Sequence, residues 1–181
     1  MMALNVTELN EEVFFNRDPI ATVQRNDIEW LKAKALRNKR KRIRLCTHRS
    51  TEDAIHEMLI VHTRGAYLQP HKHPNKTVSY HMIEGNLDLV IFDDRGTIAR
   101  VIKMGGYSSG NAFYWRLAES EYYSVIPRSE TVVFNEVVNG PWERETSYVA
   151  APWSPDEGDG PAAEVSLTRL QDLIRTAQTG A

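Results

Sequence analysis

The chain is poor in cysteine and has no long apolar segment. Cys46 is the only cysteine among the 181 residues, so no intrachain disulfide can form. No run reaches the roughly 18 consecutive apolar residues that a membrane-spanning helix needs. The first residues, MMALNVTELNEEVFF, are acidic and lack the apolar core of a signal peptide. We therefore expect a cytoplasmic protein in a reducing compartment, with no membrane as a partner.

An excess of charge of one sign is also absent. The 22 Lys and Arg residues nearly balance the 24 Asp and Glu residues, which gives a formal net charge of −2. This balance provides no overall reason to expect binding to nucleic acid or to an anionic membrane. With 41% hydrophobic residues, the chain is long enough for one buried core and short for two. We expect an N-terminal arm and helix at 1–42, a β-barrel at 43–157 and a C-terminal helix at 158–181.

Short runs rich in β-branched and aromatic residues extend from Ile43 to about Val149. Turn signals such as TRG, EGN and DDRG separate them, and at least eight strands are indicated. The pattern predicts an all-β fold, most simply a jelly-roll β-barrel. Two amphipathic segments, NDIEWLKAKALRN and EVSLTRLQDLIRTAQ, predict one helix before the barrel and one after it. The second helix would pack on the body or on a partner subunit.

The stretch HKHPNKTVSYHMIEG, residues 71–85, begins with two histidines that are one residue apart. In an extended strand, residues two apart point to the same face about 6.6 Å from each other, so His71 and His73 project together. Two imidazoles placed in this way are typical of the start of a metal site. Pro70 and Pro74 flank the pair, and proline does not suit a central strand. We therefore expect the pair near a strand end, at the mouth of the barrel.

The wider spacing around the pair resembles the first cupin motif, in which glycine turns frame two histidines and a glutamate. The frame here consists of Gly65, His71, His73, Val78 and Gly85. The segments YLQPHKHPNKTVSYHMIEGNLDLVIFDDRGTIARVI, VFNEVVNGPW and APWSPDE resemble, in this order, the WbuC family of cupin-fold metalloproteins. The resemblance covers residues 33–157. It implies a cupin-type jelly-roll barrel that holds a divalent metal, and an association with surface-polysaccharide (O-antigen) gene clusters.

Two of the usual ligand positions of that family are substituted in this chain. Val78 stands where the family has a glutamate, and Tyr122-Tyr123 stands where it has a tryptophan-histidine pair. Two neutral imidazoles alone underfill a divalent site. Tyr123 could ligate as a phenolate, but its ordinary pKa of about 10 suits a ferric ion better than zinc. The resemblance therefore implies a weakened or altered site with His71, His73 and Tyr123 as metal ligands and a divalent or ferric ion as cofactor.

Two other functions are compatible with the same residues. His71 and Tyr123 could act as a catalytic base and acid without a metal, as in some cupin-type nucleotide-sugar epimerases. Alternatively, the barrel could be a non-enzymatic ligand-binding or regulatory module. In each case we expect the partner to be a small molecule, a sugar or a nucleotide sugar.

Several further residues are candidates for contact with the ligand. His81 alternates to the face opposite Val78 and would reach the interior only through a bulge, whereas Glu136 occupies a family-like acidic position. His56 and His62 alternate on one strand face with apolar residues, and without carboxylates or cysteines at ligand spacing we interpret them as strand-face residues.

The densest charge of the chain lies in KAKALRNKRKRIR. Within and just after this run, Arg40, Arg42 and His48 are candidates for a phosphate contact. The alternative is a solvated helix end followed by an edge strand, which cations also suit. No interleaved aromatics mark a stacking platform for bases, so the run does not favour nucleic acid. We expect a homodimer.

Overall fold

The computed structural model describes residues 4–179, with the backbone alone for 177–179. Residues 1–3 of the predicted arm and 180–181 of the predicted C-terminal helix lie outside the described residues. The strands and helices in chain order are β1 (Val6–Asn10), β2 (Val13–Asn16), α1 (Arg25–Arg37), β3 (Arg42–Cys46), β4 (Ile55–Thr63), β5 (His71–Lys72), β6 (Val78–Glu84), β7 (Asn86–Phe92), β8 (Ile98–Gly105), β9 (Tyr114–Leu117), β10 (Tyr122–Pro127), β11 (Thr131–Asn139), α2 (Arg144–Ser147), β12 (Val149–Ala150) and α3 (Gly160–Thr179), with a short 3-10 helix at Tyr107–Ser109.

The strands form two sheets that face each other. One sheet has the order β1-β2-β3-β4-β11-β6-β9, and the other has the order β12-β5-β10-β7-β8. Within them, the eight strands from β4 to β11 are arranged as β4-β11-β6-β9 opposite β5-β10-β7-β8. This is the strand order of a jelly roll built from two Greek keys. The predicted all-β jelly-roll fold is therefore confirmed, and the strand order is the one found in cupins.

The predicted N-terminal arm extends the larger sheet. Strands β1 and β2 form an antiparallel hairpin, and β2 pairs with β3 in parallel. Helix α1 begins after Gln24, whose backbone N–H donates to the carboxylate of Asp27 at 2.9 Å. Such a contact satisfies one of the free N–H groups at a helix start. The pairing of β2 with β3 joins the arm to the larger sheet by backbone hydrogen bonds.

The two long helices, α1 and α3, each cover the outer face of one sheet. Leu31 and Ala35 of α1 are fully buried against Leu45 of β3 and Val61 of β4. On the other side, Ile174 of α3 is fully buried in a cluster that includes residues of β7 and β10. The C-terminal helix therefore packs on the body of its own chain. Among the helices of residues 4–179, none combines the length and apolarity needed to span a bilayer.

The space between the sheets is filled unevenly. Inward-facing side chains of β6, β7, β9 and β10 join in one apolar cluster, in which Val78, Leu89 and Tyr123 are almost completely buried. The turn from β6 to β7 depends on Gly85, whose φ of 78° favours glycine and whose missing Cβ leaves room for the carbonyl of Thr131. Polar groups collect at the other end of the sandwich, near β3, β4 and β5, where a cavity remains.

The packing of α3 can be tested by truncating one buried side chain. Ile174→Ala should lower the free energy of unfolding by about 2–4 kcal/mol, because it removes a fully buried side chain and leaves a cavity. Leu173→Ala, at a neighbouring position that is 47% exposed, should change it by less than about 0.5 kcal/mol. Urea denaturation measures both values. Similar small effects at the two positions would show that α3 does not pack on the sheet as described.

Candidate functional site

A cavity of about 760 Å³ lies inside the jelly roll. Its wall comes from β3, β4, β6 and β11 of the larger sheet, from β5 of the smaller sheet, from the arm and from the loops around α2 and before α3. Five of the six histidines of the chain line it, namely His48, His56, His62, His71 and His73. The volume is within the usual range for a small-molecule site.

His71 and His73 meet at the wall of the cavity, as their spacing predicts. Both are buried, and their ring centroids are 4.8 Å apart. Nδ1 of His71 lies 2.9 Å from the carbonyl oxygen of Gln69, and Nδ1 of His73 lies 2.6 Å from that of Ser147. Because a carbonyl oxygen only accepts, both Nδ1 atoms carry the proton, and each Nε2 keeps its lone pair. The backbone thus fixes the tautomer of both rings.

Burial keeps both imidazoles neutral. Loss of hydration, followed by the neighbouring His73, lowers the pKa of His71 from 6.5 to about 3. Burial also lowers the pKa of His73, although its hydrogen bond to the carbonyl of Ser147 opposes the shift. At neutral pH the two side chains therefore offer lone pairs and carry no charge.

Tyr123 lies behind His71 and is absent from the cavity wall. The two residues are paired across β10 and β5, and their ring centroids are 4.6 Å apart. Tyr123 is fully buried in the apolar cluster, and its hydroxyl lies 3.4 Å from the hydroxyl of Tyr80. Burial, together with the nearby Glu136, raises the pKa of Tyr123 well above its ordinary value. Tyr123 thus packs against His71 with its hydroxyl beside that of Tyr80, and its roles as phenolate ligand and as catalytic acid stay predictions.

The donors present do not fit a metal centre. Val78, at the position where a glutamate was expected, is buried in the apolar cluster. Within residues 4–179, no three side chains of the His, Cys, Asp and Glu types come together to hold an ion. Two neutral imidazoles without an anionic ligand leave a divalent or ferric ion undercoordinated. The rings of His71, His73 and Tyr123 do pack together, with centroids 4.6–5.9 Å apart, and their role as a ligand set stays a prediction.

Glu136 does enter the cavity. In β11 it pairs with Met58 on one side and with Tyr80 on the other, and its side chain keeps part of its surface towards the cavity. Burial raises the pKa of the Glu136 carboxyl from 4.5 to about 7, and the cation of Arg44 opposes this shift. Arg44 is not among the residues that the sequence predicts as ligand contacts. The alternation in RIRLC, which places Arg42, Arg44 and Cys46 on one face of the strand, could have indicated that it faces the cavity.

Arg40 and Arg42 are occupied by carboxylates at the rim of the cavity. Arg42 donates to both oxygens of Glu157 at 2.8 Å each and to Glu12 at 3.1 Å. Arg40 forms ion pairs with the same two carboxylates. Glu157 also accepts the backbone N–H of Gln69 at 2.9 Å. This rim cluster of Arg40, Arg42, Glu12 and Glu157 uses the charges that were predicted to contact a phosphate.

The remaining candidate histidines differ in their positions. His48 stacks on His56 with ring centroids 4.2 Å apart, and their ring nitrogens contact the carbonyls of Glu57 and Thr51. His62 is buried on the same strand face as His56, as predicted, but that face forms the wall of the cavity. His81 is exposed on the outer face of β6 beside Phe113, so the structure does not bring it to the site. No bulge turns it inward, and this agrees with its alternation.

Comparisons with known sequences match only part of the chain. A family model described as a domain of unknown function (DUF6016) matches residues 23–104, which is less than half of the chain. That range includes Arg44, His71 and His73 and ends before Glu136. No curated protein matches the chain. The resemblance to the WbuC family stays a prediction.

Several solved structures are similar to part of the chain. Oxalate decarboxylase from Bacillus subtilis, described with Mn(II) centres, shares 20% identity over 54% of this chain at a TM-score of 0.43, and the chain spans 24% of its length. An uncharacterized protein with a double-stranded β-helix domain from Klebsiella pneumoniae has a TM-score of 0.47 and shares 13% identity. The match covers 61% of this chain and 79% of the Klebsiella chain. The Cnp3 cupin domain of Schizosaccharomyces pombe has a TM-score of 0.43 and shares 13% identity. The match covers 55% of this chain and 65% of the Cnp3 chain.

The rim cluster should stabilise the fold. Glu157→Gln leaves the guanidinium of Arg42, 10% exposed, without its bidentate partner. Removing one partner of a buried pair costs about 3–5 kcal/mol, and because the rim is partly hydrated we expect a loss of about 1–3 kcal/mol in the free energy of unfolding. Asp94→Asn, which removes an exposed partner of Lys72, should cost less than about 0.5 kcal/mol. Equal losses in urea denaturation would contradict a stabilising rim cluster.

Glu136 should make stability depend on pH. The unfolded chain releases this proton near pH 4.5 and the folded chain near pH 7, so the contribution of Glu136 is full below 4.5 and is lost as the pH rises to 7. Glu136→Gln has no proton to lose. We expect its free energy of unfolding, relative to wild type, to rise by about 2 kcal/mol between acidic and mildly alkaline pH in urea titrations.

The difference in free energy of unfolding between wild type and Glu136→Gln is independent of the buried histidines, whose effect on the pH dependence is opposite to that of Glu136. Burial lowers the pKa of His62 and of His71 to about 3, so their contributions are present above pH 6.5 and are lost as the pH falls. They are common to both proteins and cancel. A difference that stays constant with pH would show that the pKa of Glu136 is the same in the folded and in the unfolded chain, and would contradict its elevation by burial.

Proposed function

We propose that the chain binds a small polar molecule, a sugar or a nucleotide sugar, inside the jelly-roll cavity without a metal ion. The observation that carries this proposal is the pair of imidazoles on the cavity wall, whose Nδ1 atoms are bound by backbone carbonyls. Each Nε2 lone pair is thereby left to accept a hydrogen bond from a ligand hydroxyl.

Aromatic side chains beside the pair support a sugar ring as the ligand. Tyr148 stacks on His71 with centroids 4.8 Å apart, and Trp142 packs edge-on against His73 at 5.3 Å. Both line the cavity and keep part of their surface open. An aromatic face next to hydrogen-bond acceptors suits the apolar and hydroxyl surfaces of a sugar. The expectation of a sugar also draws on the family resemblance.

Binding, rather than acid–base catalysis by His71 and Tyr123, is the function that the geometry supports best. The hydroxyl of Tyr123 lies against the hydroxyl of Tyr80 within the core. A general acid needs to reach the atom that it protonates, directly or through one water. From its position behind His71, Tyr123 contacts the imidazole and not the cavity. Homodimerisation stays a prediction.

Ligand binding can be measured directly. Saturation-transfer NMR with neutral monosaccharides, uronic acids and nucleotide sugars, in the presence of EDTA, should identify at least one ligand class. His71→Ala should weaken its binding about tenfold, because a lone-pair acceptor is lost from the wall. His81→Ala, at the exposed histidine on the outer face, should bind like the wild type.

Two results would contradict the proposal. Absence of binding by every member of the panel at millimolar concentration would refute a sugar site. Binding that EDTA abolishes and an added metal ion restores would refute the metal-free arrangement, and would show that the two imidazoles recruit an ion through the ligand.

A further inference from the structure

Arg44 lines the cavity and forms no ion pair with a carboxylate among the described residues, and we propose that it binds the carboxylate group of a small acidic ligand. This inference rests on the proposed function and specifies its ligand class. Arg44 is at the centre of β3, lines the cavity and is partly exposed to it. The predicted phosphate contacts, Arg40 and Arg42, are paired in the rim cluster, which leaves Arg44 for an anionic ligand.

The protein contacts of the Arg44 guanidinium are weak. Its hydrogen bond within the described residues is to Sδ of Met58 at 4.0 Å, and a thioether is a poor acceptor. None of the ion pairs in the described part of the chain includes Arg44. A guanidinium does not release its proton in proteins, so the charge persists. Removing such a charge from water without a partner is costly, and an anion would offset the cost.

The titratable groups around Arg44 do not provide a fully ionised partner for its guanidinium. From β11 comes Glu136, from β6 Tyr80, and from β3 itself Cys46. Burial raises the pKa of all three, that of Glu136 to about 7 and that of Cys46 to about 11. Burial lowers the pKa of His62 on β4 and of His71 on β5 to about 3, so these two imidazoles are neutral. Below about pH 7 this part of the wall therefore carries one positive charge.

His62 provides a second and independent observation. In the ladder between β3 and β4, Arg44 is opposite Ile60, so His62 is its diagonal neighbour on the same face. His62 is 5% exposed and lines the cavity, and its Nδ1 has no hydrogen-bond partner among the described residues. Buried polar atoms nearly always have a partner. A guanidinium fork beside an imidazole is a donor set that suits a carboxylate.

The charge balance favours a carboxylate over a phosphate. A carboxylate carries one negative charge, which matches the single charge of Arg44. A phosphate monoester carries about 1.5–2 negative charges at neutral pH and would leave an excess beside Glu136. The expected ligand is therefore a small molecule of sugar size with one carboxylate group.

The test compares an acid with its neutral and phosphorylated counterparts. D-Glucuronate, D-glucuronamide and D-glucose 6-phosphate are titrated into wild type, Arg44→Met and Arg100→Met. Arg100 is an exposed arginine on β8, so its substitution removes the same charge away from the cavity. Wild type should bind glucuronate at least tenfold more tightly than the other two compounds. Arg44→Met should lose this preference while still binding the amide, and Arg100→Met should keep it.

NMR of the Arg44 guanidinium in the wild-type protein tests the same contact without a substitution and without a sugar. The Nε–Hε resonance of Arg44 in wild type is followed during addition of glucuronate and of acetate, with glucuronamide and acetamide as controls. The acids should shift this resonance and the amides should not. Equal binding of acid and amide with no shift would overturn the role of Arg44, yet leave sugar binding intact. Tighter binding of the phosphate would overturn the carboxylate assignment.

Discussion

The alternation of side chains along the strands controls what the cavity contains. In β3, Arg42, Arg44 and Cys46 face the interior, while Ile43 and Leu45 pack beneath α1. A shift of one residue in the pairing of β3 would exchange the two sets and bury two arginines under the helix. The apolar contact between α1 and the outer face of the sheet therefore holds the polar wall of the cavity in register. Function at the inner face depends on hydrophobic packing at the outer one.

Exclusion of water then sets the charge of that wall. Loss of hydration disfavours every ionised form, so buried acids hold their protons and buried histidines release theirs. The pKa of His71 falls to about 3 and the pKa of Glu136 rises to about 7 for the same reason. The guanidinium of Arg44 stays charged, as guanidinium groups do in proteins. The result is a wall rich in hydrogen-bonding groups and poor in net charge.

The sequence predicted the parts of the site that depend on local spacing. The jelly roll, the two histidines and the outward direction of His81 follow from periodicity and turn signals within a few residues. The partners of Arg42 could not be predicted, because Glu12 and Glu157 are 30 and 115 residues away along the chain. The position of Tyr123 depends on its pairing with His71 across two strands, and no local pattern reports that register. Tertiary pairing thus decides which charges are free.

The rim cluster joins the two ends of the chain around the entrance of the barrel. Glu12 comes from the hairpin that precedes α1, and Glu157 from the loop that precedes α3, while Arg42 begins the strand between them. Breaking either carboxylate contact would loosen both segments at once, since they share the same guanidinium. One arginine on β3 therefore holds two segments that lie on either side of the barrel in the sequence.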